Sequence, residues 1–148
     1  MSYSPSSFSP QTSTSSAVVT NYTNASAITA IPQGQAVSAN SSGLLTPLDV
    51  SSQSSWSAFV GYANARIPTS ASGPVISNGR LKNVTTSYAV GTALYIDKNG
   101  NPTNIVPSIG TNGFVSGDMC LFMGVVVPNE LNPSEKDLSL FTQLIAVL

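Results

Sequence analysis

Histidine is absent from the 148 residues of this chain. That removes the usual general base near neutral pH, the Ser-His and Cys-His nucleophile pairs and the commonest metal ligand. The single cysteine, Cys120, leaves no intrachain disulfide to form, and it lies inside an apolar run where a small buried hydrophobe is expected rather than a nucleophile. No GxxxxGK[ST] phosphate loop is present. Asp97-Lys98-Asn99-Gly100 lacks the ligand series and closing Glu of a calcium loop, so Asp97 is read as a turn aspartate. Asp118 is read as a turn residue making local backbone hydrogen bonds, and Glu135, Lys136 and Asp137 as part of a solvated loop at 132–137. These readings leave no catalytic, cofactor-binding or metal-binding residue, and the expectation is that the protein is not an enzyme.

Charge is the second scarcity. Lysine and arginine number 5 and aspartate and glutamate 6, and the first ion along the chain is Asp49. There is no cationic surface on which many phosphates could exchange their counterions, so no direct nucleic-acid partner is expected. Apolar runs fall short of the roughly 20 residues that span a bilayer, and the N-terminus lacks the basic and apolar regions of a signal peptide, which points to a soluble protein made in a cytoplasm. Without a secretory signal the sequons at Asn21, Asn24, Asn40 and Asn83 carry little weight. A surface of hydroxyls, amides and small apolar groups loses little solvation when covered, provided its polar atoms find partners. This composition suits a protein that is packed against others.

What the chain has in quantity is β-type sequence. Residues 119–127 are apolar and rich in β-branched types, and they read as a central strand buried on both faces. Residues 93–103 read as a hairpin around Asn99-Gly100, because Asn-Gly can hold both central residues of a tight turn at positive φ. Further strands are expected at 17–22, 27–31, 75–76 and 81–87, and a second hairpin across 35–46. Residues 49–62 read as a short helical turn or loop leading into a strand. The tail 138–148 reads as a closing strand, a docked helix being the alternative. The fold expected is all-β, a compact β-sandwich or small β-barrel.

Residues 1–16 are mostly Ser, Thr and Pro and cannot bury enough surface to offset the entropy of ordering. They are expected to form an extended arm, separate from a single domain over 17–148. Tyr3 and Phe8 on the arm, with Val18, Val19 and Tyr22 just after it, are the candidate contacts to a neighbour. Trp56, Phe59, Leu94, Ile96, Cys120, Phe122 and Val125 are the candidate core. The frame Gly-x-Ala-(Val/Leu)-x-x-(Asn/Asp)-x-x-Gly-x-x-Thr occurs twice, from Gly34 and from Gly91, at a constant spacing of 57 residues. Phe59-Val60-Gly61 and Phe122-Met123-Gly124 match at a spacing of 63. Two related β units, about 17–62 and 75–127, followed by a C-terminal strand, would account for both.

Taken together, Gly79-Arg80-Leu81, Val84-Thr85-Thr86-Ser87-Tyr88, Gly91 with Leu94-Tyr95-Ile96 and Gly100, Gly113-Phe114-Val115-Ser116-Gly117-Asp118, Phe122-Met123-Gly124-Val125-Val126, Asn132-Pro133 and Lys136-Asp137-Leu138 resemble small structural proteins encoded among the head genes of tailed bacteriophages, the capsid decoration or cement proteins. The resemblance covers about 43–148 and rests on glycine and apolar spacing. It implies a compact β domain on the outer surface of an icosahedral shell, binding the major capsid protein across several subunits and often copies of itself, a trimer being one arrangement. A head-fibre base, tail or baseplate module binding host glycans through Trp56 or the tyrosines is the alternative.

Overall fold

The computed structural model describes residues 18–148. Tyr3, Phe8 and the rest of the expected arm lie outside the described residues. The elements in chain order are β1 (Val19–Thr23), β2 (Ala36–Ala39), β3 (Leu45–Pro47), α1 (Gln53–Ser57), β4 (Phe59–Ala63), β5 (Ser72–Ile76), β6 (Gly79–Leu81), β7 (Ala93–Ile96), β8 (Pro102–Thr103), β9 (Met119–Pro128) and β10 (Lys136–Val147). They form two five-stranded antiparallel sheets, ordered β1-β5-β4-β2-β3 and β6-β10-β9-β7-β8. The sheets pack on each other, so the protein is an all-β sandwich.

Local chemistry decides where strands stop. Residues 27–31, expected as a strand, are irregular apart from a bridge between Ile31 and Ile67. Ser26 Oγ accepts from the N–H groups of Ile28 and Thr29, and Asn24 Oδ1 accepts from Ser26, so side chains take donors that a ladder would need. The strand expected at 81–87 is shifted and shortened to Gly79–Leu81. Beyond it Asn83 turns to φ 53 and its N–H donates to Asp137 Oδ1 at 2.9 Å. At the 93–103 hairpin Gly100 has positive φ and Asn99 does not. Asp97 Oδ1 instead closes a longer loop by accepting from the N–H groups of Asn99 and Asn101.

β9 occupies the middle of its sheet, but it is not buried on both faces. Leu121, Met123 and Val126 are in the core, whereas Phe122 and Val125 are half-buried on the opposite face. Strand alternation puts Leu121 and Met123 on the inner face, and the extra residue of a bulge at Met123 shifts the phase so that Val126 beyond it also points inward while Phe122 and Val125 both point outward.

The two sheets are wired alike. Their strand orders correspond one for one. Gly34 donates to Ala63 O and Gly91 to Val126 O, both at 2.8 Å, while Ala63 donates to Gln35 O and Val126 to Thr92 O, both at 3.0 Å. Asn40 Oδ1 accepts from Ser42 and Leu44 as Asp97 Oδ1 does from Asn99 and Asn101. The bulge between Phe59 and Gly61 against β2 has its match between Phe122 and Gly124 against β7. The sheets span 19–76 and 79–147, so β5 belongs with the first and the C-terminal strand with the second.

Corresponding faces do not meet across the sandwich. Ala36, Tyr62 and Ile76 of the first sheet share the main core with Leu94, Val126 and Leu138 of the second. The first sheet's register counterparts of those three, Val37, Ala63 and Val75, lie on its other face in a separate core closed by Ile31 and Ile67. The sheets are therefore stacked the same way up, front of one on back of the other.

Candidate interaction surface

Two carboxylates, Asp118 and Asp137, are buried beside cations of the same chain. Lys98 Nζ donates to Asp118 Oδ2 at 2.6 Å, and the Val115 N–H donates to the same oxygen at 2.9 Å. These two partners, the lysine foremost, hold the Asp118 carboxyl below the usual carboxylate range. Asp118 is thus a buried ion-pair residue as well as a turn residue. Asp137, expected on a solvated loop, is wholly buried within β10. Its Oδ1 accepts from the Asn83 N–H and Asn129 Nδ2, and Arg80 stands 3.8 Å from Oδ2 and 3.2 Å from Glu130. The correction follows from strand pairing with β9, which carries Lys136 and Asp137 into the sheet. Lys136 Nζ donates to Tyr88 O at 2.7 Å.

Burial raises the pKa of the Cys120 thiol, as suits an unreactive core cysteine. Burial also pushes the Tyr62 phenol up, and its hydroxyl lies 2.6 Å from that of Thr142, linking the sheets. Among the described residues no group of three or more His, Cys, Asp or Glu is placed to hold a metal ion. A groove of about 380 Å³, lined by Asn24, Ser26, Thr29, Gln35 and Thr46 with Ile31 and Leu45 among its apolar residues, contains no titratable side chain. It can accept hydrogen bonds and apolar contact, but it has no acid or base with which to do chemistry.

Of the candidate core residues, Leu94, Ile96 and Cys120 are buried, and Trp56 and Phe59 are half-buried against the core. Trp56 stacks on Phe59 at 5.4 Å. Phe122 and Val125 face away from it, and Phe122 meets Tyr95 edge to face at 5.7 Å. Of the candidate contacts, Val18 and Val19 are half exposed, while Tyr22 packs on the second core and braces β1. Sequence reasoning missed the apolar exposure along β10, where Phe141 is 70% exposed and Ile145 and Val147 more than half. The sequence carries a signal for it, since 138–148 contains no charged side chain.

Among the described residues no helix is long and apolar enough to cross a membrane. The molecule is a two-sheet antiparallel sandwich with few ions on its exterior, where apolar side chains are also exposed. No protein-family model, curated protein or solved structure matches the chain.

Proposed function

We propose that the protein is a virion structural protein that decorates and stabilises an icosahedral phage capsid, binding across major capsid protein subunits on the outer surface. In this reading it is made in the host cytoplasm, associates with copies of itself and works by adhesion without turnover. One observation carries it: a β-sandwich that places buried Asp118 and Asp137 beside its own cations and leaves few ions on its surface, with no ion at all along the chain before Asp49. Such a surface is inexpensive to desolvate and has little with which to catalyse. The resemblance to head structural proteins over 43–148 supports the same reading. Trp56, stacked on Phe59 and packed on the core, gives the alternative of a glycan-binding tail module no specific support.

A cement protein gains its effect by mass action. Whatever binds the assembled shell and not its separated subunits shifts the equilibrium towards the shell, and many copies act in parallel. Val18 and Val19 at the start of β1, with the residues before them, would lie against the capsid. The test is quantitative occupancy on purified particles. Decoration requires a copy number approaching that of the major capsid protein. A chain lacking residues 1–16 is expected to attach less well, and equal occupancy by the two chains would contradict the attachment role.

A further inference from the structure

Because the two sheets stack the same way up, one face of the second sheet lacks the cover that its counterpart has. In the first sheet Ala36, Tyr62 and Ile76 are buried against the second sheet, and Phe59 packs on the same core. Strand register makes Ala93, Val125, Ser139 and Phe122 their counterparts. These point away from the core: Ala93 is exposed and the other three are half-buried. We propose that this outer face of the second sheet is a homodimer surface, packing against the same face of a second copy about a two-fold axis.

Three observations favour a second copy as the occupant. What covers the counterpart face in the first sheet is itself a sheet of this fold, so the fold already contains one working example of this face buried by a β-sheet. The centre of the open face is uncharged, with the Tyr95–Phe122 aromatic pair in its middle. The ions bordering it, Arg80 and Glu130, are paired with each other at 3.2 Å, so placing the face on itself brings no unpaired like charges together. Finally, Phe141 on the adjoining part of β10 is 70% exposed, a large aromatic area at the margin of the same sheet. Strand spacing and rise give such a face roughly 400–500 Å². That is less than the roughly 800 Å² per partner of a standard interface, so the dimer should be weak and concentration-dependent.

Sedimentation velocity on the full chain between about 1 and 300 µM should show a monomer–dimer equilibrium. Ala93→Arg and Gln143→Arg alter exposed positions on this face, Gln143 being the register partner of Phe122, and each should raise the dimer Kd at least about tenfold. Ile28→Arg, at a 90% exposed position in the loop after β1 of the other sheet, should leave it unchanged. Circular dichroism melts establish that all three variants are folded. A monomer throughout the range, or a dimer indifferent to the Ala93 and Gln143 changes, overturns the proposal. So does association lost when residues 1–17 are removed, since the occupant would then be the leading segment of the chain. A truncated chain that still dimerises supports it. Capsid attachment is not read in these measurements, so their outcome is separable from that of the decoration test.

Discussion

Gly61 and Gly124 are the two positions where the backbone leaves no room for a side chain. A Cβ on Gly61 would run into the Ile76 carbonyl and one on Gly124 into the Ser139 carbonyl, the equivalent place in the other sheet. Gly61→Ala and Gly124→Ala should each cost about 2–4 kcal/mol in urea unfolding, because backbone rather than a flexible side chain must yield. Gly43, at φ 77 with nothing within 4 Å, should cost only about 1 kcal/mol when changed to Ala. At Asp118 the contribution is electrostatic. Its carboxyl is held below its ordinary value by Lys98 and the Val115 N–H, so the folded state binds the proton less readily than the unfolded one. The resulting stability is complete above the unfolded value of about 4 and is lost as pH falls through the folded value. Melting temperature should therefore drop on acidification below about pH 4. In Asp118→Asn that drop should be smaller, from a lower starting point at neutral pH.

At the scale of the element, β9 shows how one strand is divided between two duties. Met123 is 1% exposed and sits in the core, while Val125 is half-buried on the outer face. Met123→Asp places an unpaired carboxylate among apolar side chains and should cost at least about 4 kcal/mol, abolishing a cooperative melt. Val125→Thr should stay within about 1 kcal/mol of the parent in the same measurement. Equal tolerance at the two sites would contradict the assignment of faces. The short helix α1 is set by its hydroxyls: Ser52 accepts from the Ser55 N–H as N-cap, and Ser38 Oγ donates to Ser55 O at 2.7 Å, pinning the helix to β2. That pin sits beside Phe59 and fixes where β4 begins.

For the whole molecule, stability is expected to reside in the two described cores, one between the sheets and one beneath Ile31 and Ile67. Removing residues 1–16 should leave the melting temperature within a few degrees of the parent, even where attachment to particles falls. A large loss of stability would mean that the segment belongs to the domain, and the division of the chain into arm and domain would fail. Exposed apolar residues at both Val18–Val19 and Phe141–Val147 give the sandwich two regions to cover, which suits a protein held among neighbours.

Period-two patterning, turn residues and paired glycines made the all-β class, the central apolar strand, both hairpins and the closing strand legible from the sequence. These are local properties, set by side-chain alternation and by which residues tolerate positive φ. The spacings of 57 and 63 residues could be read too, because the same hydrogen bonds recur at those intervals. The strand expected at 27–31 was lost to Asn24 and Ser26, whose side chains bind the backbone first. Asp137 looked solvated because its neighbours in sequence are polar, yet its neighbours in space are Asn83, Asn129 and Arg80. The inward or outward fate of Phe122 and Val125 rested on the same distinction. Alternation assigns residues to two faces, but only the tertiary packing determines which face is covered, because burial is a relation between elements distant along the chain.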